Sequence, residues 1–371
     1  MTKTVLKSML AGAALAVLAA SAHAETIRAT SAFGPSHVQA TKVYPRLFEK
    51  LKEFTDGRWD GQDTPSGLVA PNEMNAGLRD GVTEMGPVIL PYFAADYPES
   101  ILVGELSVIG RDNRAIAGAV TEYIVNCAEC QAEFKKFGQV YMGADTTTLY
   151  AFLSTKPIRK LDDMKGLRIR TAGAVFTRIV EALGGTPAQM PANELFEGLS
   201  QGVIDATYSS IPDLKNARLY DVVKYVTEIN QGVFNAAATN NVSRMLWDRM
   251  SAEDRAALVH AAQYGQATGI AGWRETEVEA RAEGAKKSIE FITPDASLTD
   301  AANAFTAEHL KTVAETLEKR GVKDAAAKVA KYTALVEKWE GLVKDLKTTD
   351  DYAELRYQEI WSKVDFATYG Q

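Results

Sequence analysis

Lys165-Gly166-Leu167-Arg168-Ile169-Arg170, reached through Lys156-Pro157-Ile158-Arg159-Lys160-Leu161-Asp162-Asp163-Met164, is the stretch from which the fold can be read. It gives a strand over Gly166 to Arg170 that yields at Thr171-Ala172-Gly173 to a helix over Ala174 to Leu183. A turn at Gly184-Gly185-Thr186-Pro187, a helix over Asn193 to Gln201 and a strand over Val203 to Tyr208 follow, and a strand over Leu149 to Ser154 precedes. Strands alternating with helices in this way imply an α/β sheet layered by helices.

Upstream the same alternation recurs. Ile27 to Thr30 reads as a short strand, His37 to Phe54 as a helix and Pro65 to Leu68 as a turn; Asn72 to Asp80 reads as a short helix and Met85 to Leu90 as a compact apolar strand. The chain therefore holds two α/β lobes. Downstream, Phe234 to Thr239 is a further strand, after which the sequence turns strongly helical. Ser251 with Asp254 is a capping signal opening a long helix toward Ala280. Val329, Tyr332, Val336, Trp339, Val343 and Leu346 mark one apolar helical stripe, with Glu337 and Lys338 on its solvated flank. Neither a low-complexity linker nor a repeat of 20 to 50 residues breaks the chain. Lobes without a linker suggest a chain that crosses between them more than once.

Composition narrows the classes of function. The 371 residues carry 41 basic and 48 acidic side chains, 46% hydrophobic content and two cysteines, which allows about two globular domains and excludes a disulfide scaffold or a disordered chain. The acidic balance argues against a nucleic-acid partner. At the start, Lys3 and Lys7 precede an apolar run from Met9 to Ala20 and the small-residue site Ala22-His23-Ala24, the pattern of a secretory signal peptide over 1–24 cleaved after Ala24. The apolar run is too short to cross a bilayer about 30 Å thick. Removing those 24 residues leaves 347 and takes the net charge from −7 to −9, since Lys3 and Lys7 are the only charges lost. The mature protein is expected in a bacterial periplasm.

In that oxidising compartment Cys127 and Cys130 could be joined or could do redox chemistry. They sit in Thr121 to Phe137, which reads as an amphipathic helix with no strand leading into it, so a structural role is expected and the thiols are left unassigned. His37, His260 and His309 are too widely spaced for a metal cluster, and neither a cofactor nor a G-x-S-x-G, H-E-x-x-H or P-loop signature is expected.

The ordered series Lys165 to Arg170, Gly184 to Pro187, and Glu194-Leu195-Phe196-Glu197-Gly198-Leu199-Ser200-Gln201-Gly202-Val203-Ile204-Asp205 resembles the extracytoplasmic solute receptors of TRAP transporters, the DctP-like family. An earlier stretch agrees: Thr64-Pro65-Ser66-Gly67-Leu68, then Gly77-Leu78-Arg79-Asp80-Gly81-Val82-Thr83-Glu84-Met85-Gly86. The resemblance covers about Thr26 to Tyr208. It implies a two-lobe periplasmic-binding-protein fold, type II-like, with a hinge cleft and a helical C-terminal region. One lobe would comprise 25–148 plus about 236–275 and the other 149–235 with later C-terminal helices; 276–371 would pack on both.

The resemblance also implies a site. Arg170, at the end of a strand where α/β sheets present ligand groups, falls on the family's carboxylate anchor and can hold a carboxylate by two parallel hydrogen bonds. By itself that position is more often one where a surface arginine pairs with a nearby acid, and it is the resemblance that reverses this. Arg168, on the same side of an ideal strand, is the fallback. The chain departs from the family at two places: Ser209 stands where relatives often have a ligand-contacting Asn, and Tyr150 where many have a second polar contact. With Tyr208 these leave a less polar pocket, suited to one carboxylate on an aromatic or apolar body. The loop Ser31 to His37 and Pro91-Tyr92-Phe93 would face the cleft, with Phe33, Tyr92 and Phe93 stacking on a ring and His37 bonding a hydroxyl; core packing is the competing role for each aromatic.

The function implied is a periplasmic receptor, without catalysis, that captures an organic acid anion and delivers it to the small and large TRAP membrane subunits. The favoured ligand is an aromatic monocarboxylate such as a hydroxybenzoate; a C4-dicarboxylate or short hydroxy acid is the alternative. A rival of another class is a periplasmic enzyme using Asp145, Glu194 or His37 as acid or base, and a third is an ABC-type or sensory binding protein of similar fold.

Overall fold

The computed structural model describes residues 24–371. The leader expected over 1–24 lies, but for Ala24, outside the described residues. Strands β1 (Glu25–Ala29), β2 (Trp59–Asp63), β3 (Met85–Ile89) and β4 (Gln139–Val140) form one sheet with β10 (Ala237–Ser243), in the order β2-β1-β3-β10-β4. The second sheet takes β5 (Tyr150–Ser154), β6 (Arg168–Thr171), β7 (Thr186–Gln189), β8 (Ala206–Ser210), β9 (Tyr225–Thr227) and β11 (Glu290–Ile292), ordered β11-β9-β5-β8-β6-β7.

The sheets repeat one plan. In the first, β1 pairs parallel with β2 and β3, and β10 runs antiparallel between β3 and β4. In the second, β6 pairs parallel with β7 and β8, and β5 runs antiparallel between β8 and β9. In both, the antiparallel strand is the one by which the chain enters from the other lobe. The repeat reaches the residues: Gly77-Leu78-x-x-Gly81-Val82-x-Glu84 matches Gly198-Leu199-x-x-Gly202-Val203-x-Asp205. Gly81 and Gly202 adopt φ of +73° and +66°, which ends each helix without the strain a Cβ would bring. Glu84 then accepts from the Arg28 amide at 2.9 Å and pairs with Arg249 at 2.8 Å; Asp205 accepts from the Arg168 amide at 3.0 Å and pairs with Lys156 at 3.0 Å. Because the copies are far apart in the chain and share few identities, a search for short periods passes over them.

Several elements differ from the sequence expectation for identifiable reasons. The helix expected from His37 begins as a π turn over Gln39–Val43 and becomes α-helical over Tyr44–Phe54, leaving His37 in the loop before it. The strand β2, Trp-Asp-Gly-Gln-Asp, carries no alternating pattern because it is an edge strand held only by β1. Thr121 to Phe137 is two helices, Asn113–Val125 and Ala128–Lys136, broken at Cys127, which caps the second. The first of these is buried almost all round, so it lacks a polar face. Cys127 and Cys130 form a disulfide. The strand expected over Phe234 to Thr239 lies at Ala237–Ser243, the turn at Thr186-Pro187 is part of β7, and the long helix runs over Ala252–Lys286 with Ser251 accepting from the Asp254 amide. Lys338 is half-buried between Glu122 and Glu359, at 2.9 and 3.0 Å, and is not a solvated flank.

Segments 141–149 and 228–236 cross between the sheets side by side, tied by Thr147 N to Phe234 O at 3.1 Å and Tyr150 N to Gly232 O at 2.9 Å. After the long helix and β11, the helix Ala296–Lys319 leads back toward the first lobe, and Tyr332, Val336, Trp339 and Val343 of the next helix join that lobe's core. Behind the cleft, buried Glu105 of the first lobe holds Arg178 of the second and Arg320. Among the described residues no helix is long and apolar enough to cross a membrane.

Candidate functional site

The C-terminal end of β6 brings Arg170 between the lobes. A strand's period of two puts Arg168 and Arg170 on the same face, as the first and third residues of a four-residue strand. Arg168 is exposed and spends its side chain on Asp205 at 3.0 Å, where the first lobe has Arg28 beside Glu84; it belongs to the repeated framework and not to the cleft. Burial alone would raise the Asp205 carboxyl, but the side chain and amide of Arg168 together with Lys156 hold it well below the usual carboxylate range.

Arg170 is only 2% exposed. Its Nε donates to the Met190 carbonyl at 2.8 Å and its Nη2 to the Tyr92 hydroxyl at 3.3 Å. Among the described residues no carboxylate lies within the 4.0 Å of an ion pair. Asp213 is near enough for Arg170 to oppose the rise that burial gives its carboxyl, and it accepts from the Ser209 hydroxyl. A guanidinium taken out of water without a counter-ion is costly.

Arg170, Tyr150, Ser209, Phe33, His37 and Tyr92 are brought to one cavity of about 80 Å³, which opens into a cleft of about 720 Å³ between the lobes. Tyr150 stacks on Phe176 at 4.7 Å, and burial pushes its phenol far up, so it stays neutral. Phe33 stacks on His37 at 4.4 Å, and His37 meets Trp273 edge-on at 5.4 Å. The backbone N–H of Gln39 donates to His37 Nδ1 at 3.1 Å, which places the ring proton on Nε2, and burial lowers the imidazole to about 3.

Tyr208 departs from expectation. It sits one layer behind the cavity, donating to the Gln231 carbonyl at 2.6 Å and packed on Phe152 at 4.7 Å, because β8 turns Tyr208 and Ser209 to opposite faces. Phe93 packs against the first lobe's core, off the cavity wall, and Glu194 is off it too. Sequence reasoning missed Gln39, Thr147, Asp213, Phe234 and Trp273 on the wall. Asp213 stands four residues beyond Ser209 and could have been found from that strand; Trp273 lies inside a long helix whose pattern marks nothing special. Asp145 also lines the cavity, its carboxyl raised to about 6 by burial against the hydrogen bond from Thr239, the field of Arg356 and the neighbouring indole N–H of Trp273.

A protein-family model described as bacterial extracellular solute-binding protein, family 7 (DctP), matches residues 29–316. The fold is similar to that of a marine metagenome TRAP solute-binding protein from an unidentified microbe, specific for aromatic acid ligands and in complex with 3-hydroxybenzoate: TM-score 0.76, 19% identity, 85% of this chain and 99% of that one covered. A TRAP solute-binding protein from Rhodoferax ferrireducens, in complex with copurified benzoate, matches with TM-score 0.76 at 18% identity over 86% and 99%. One from Haemophilus influenzae with bound L-gulonate matches with TM-score 0.67 at 22% identity over 84% and 99%.

Proposed function

Because the chain belongs to the bacterial extracellular solute-binding proteins of family 7, we propose that it is the periplasmic receptor of a TRAP transporter and that its cargo is an aromatic monocarboxylate. The observation that carries the ligand class is the fully buried Arg170, without an acid partner among the described residues, at a cavity between the lobes. A ligand carboxylate supplies the missing counter-ion and takes the guanidinium's free N–H groups in parallel. Phe33, Tyr150, Phe234 and Ile89 supply apolar wall for a ring. Micromolar capture corresponds to about −8 kcal/mol, more than one ion pair provides after desolvation, so burial of the ring contributes.

The monocarboxylate is favoured over a C4-dicarboxylate because the cavity holds one arginine with two acids, buried Asp145 and half-buried Asp213. A second ligand carboxylate would face like charge. The similar structures that hold benzoate and 3-hydroxybenzoate agree with this, whereas the one with L-gulonate represents the short hydroxy-acid alternative. Binding shifts the lobes toward closure about the segments 141–149 and 228–236, and the loaded form is handed unaltered to the small and large membrane subunits.

A thermal-shift screen of organic acids tests this, since a ligand of the native state raises the melting temperature. Aromatic acids should protect, and Arg170→Met should remove the protection. Protection by succinate, malate or gulonate but by no aromatic acid rejects the cargo, and turnover of the bound acid rejects the receptor.

A further inference from the structure

Arg170 shares its cavity with Asp213, the first residue of the short helix Asp213–Asn216. The guanidinium spends Nε on Met190 and Nη2 on Tyr92, whereas Nη1 has no partner among the described residues and keeps surface on the cavity. Half-buried Asp213 accepts from the Ser209 hydroxyl through Oδ2; its Oδ1 has no partner among the described residues and is likewise reachable. A ligand group on Nη1 therefore meets an open carboxylate oxygen inside a cavity of about 80 Å³. The charges around it balance before any ligand enters. Asp145, on the first lobe's side, accepts from Thr239 Oγ1 and Gln39 Nε2, both at 3.0 Å, and has the Trp273 indole N–H and the buried Arg356 guanidinium beside it. Arg170 and Asp213 balance each other: burial raises the Asp213 carboxyl, and the Ser209 hydroxyl and the Arg170 charge oppose that rise. Burial keeps His37 neutral, and Tyr92 and Tyr150 present phenols. The cleft beyond is lined by Glu73, Glu197, Asp221 and Arg218, with Asp221 held by Lys287, and brings no surplus of positive charge.

An acid anion on Arg170 upsets this balance. It sets a second carboxylate beside Asp213, with one guanidinium between two negative charges, and two carboxylates in one poorly solvated site do not both stay ionised. We propose that the receptor takes up one proton with its ligand, shared between the bound carboxyl group and Oδ1 of Asp213. The proton comes from solvent: the ligand arrives as a carboxylate, the pair of carboxylates binds one proton in an O–H···O hydrogen bond, and the single negative charge left on the pair is matched by Arg170. The proton belongs to the pair and not to either member. Asp213 thereby determines specificity at the charged end of the cargo. A sulfonate carries the same charge on the same ring but is far too weak a base to share a proton, so it is refused. The inference rests on the organic-acid reading above and adds the ionic form in which the acid is held.

Calorimetry of benzoate, 3-hydroxybenzoate, 3-phenylpropanoate, phenylalanine and benzenesulfonate, in buffers of different ionisation heat, counts the protons taken up. The best-bound carboxylate should bring about half to one proton, and its affinity should fall about three- to tenfold per unit between about pH 6 and pH 8. Benzenesulfonate should bind at least about tenfold more weakly than benzoate. Asp213→Asn should abolish the uptake, flatten the pH profile, bind the carboxylate at least as tightly as the wild type at pH 8 and narrow the gap to the sulfonate. The wild-type proton count and the sulfonate ratio carry the test if that variant fails to fold. Binding without proton uptake in the wild type, or equal binding of the sulfonate, with binding still lost in Arg170→Met, would overturn the shared proton and leave the receptor reading standing. Uptake that persists unchanged in Asp213→Asn would overturn the assignment to Asp213. Tighter binding of phenylalanine than of 3-phenylpropanoate, with no uptake, would overturn it in favour of an ammonium at Asp213. A wild type that binds none of these compounds removes both readings.

Discussion

The hydroxyl of Tyr92, carried by the first lobe, accepts a hydrogen bond from Nη2 of Arg170, carried by the second, at 3.3 Å. The same oxygen accepts from the Ala192 amide at 2.9 Å, so one phenol ties the guanidinium and the loop before a helix of the second lobe to the first. The residue that would hold a carboxylate is thus itself positioned across the cleft, and recognition is coupled to the approach of the lobes.

Tyr92→Phe removes that tie and little else. Loss of these two hydrogen bonds, each worth about 0.5–1.5 kcal/mol, should weaken the best-bound acid by about five- to a hundredfold. Isothermal calorimetry measures it, and an unchanged affinity would show that the contact does not contribute to the bound form.

At Arg170 function and stability should part company. Arg170→Met should weaken binding by about a hundredfold or more, while the ligand-free protein melts at the same temperature or higher, because an uncompensated buried charge has been replaced by an apolar side chain. Arg170→Lys should not restore binding, since an ammonium lacks the planar fork. Paired melting curves with and without ligand distinguish these outcomes from simple unfolding.

Asp205 should make stability depend on acid. Its carboxyl is held below the ordinary range in the folded chain, so the stability it contributes is present above the unfolded value near 4 and is lost as pH falls below it. Its partners Arg168 and Lys156 are about half exposed, which limits the contribution to about 1–2 kcal/mol at neutral pH. Urea unfolding of Asp205→Asn should show that deficit at pH 7 and a narrowing one toward pH 3. Glu84→Gln, its counterpart in the first lobe, should behave alike.

Asp145 should act with the opposite sign. A carboxyl raised to about 6 by burial favours the folded state in its protonated form, so stability falls as pH rises from about 4 to about 6, by about 3 kcal/mol from this group. In Asp145→Asn that part of the slope should be absent. A slope identical to the wild type's would show that Asp145 titrates normally.

Gly118 faces the indole of Trp339, which would collide with any Cβ there. Gly118→Ala should cost about 1–3 kcal/mol by overpacking and lower the melting temperature without altering ligand selectivity. The result would show the C-terminal helix to be part of the first lobe's core, and a neutral substitution would mean that the helix shifts freely.

The sequence alone determined the α/β alternation, the capped long helix and the placing of Arg170 at a strand end, because each depends on local periodicity or on a short run of residues. It also brought Phe33, His37, Tyr92, Tyr150 and Ser209 into view, through the resemblance to the TRAP receptors. Only the tertiary structure put Arg170 on the cavity and Arg168 outside it, since both fit the strand and the difference is that Asp205 has already taken one of them. It likewise moved Tyr208 behind the cavity and put Gln39, Asp145 and Trp273 on one wall, residues whose distance along the chain leaves no local trace. The repeat of the two lobes does leave a local trace, Gly-Leu-x-x-Gly-Val before an acid, but only the tertiary structure shows that both copies do the same thing, pairing that buried acid with a strand amide.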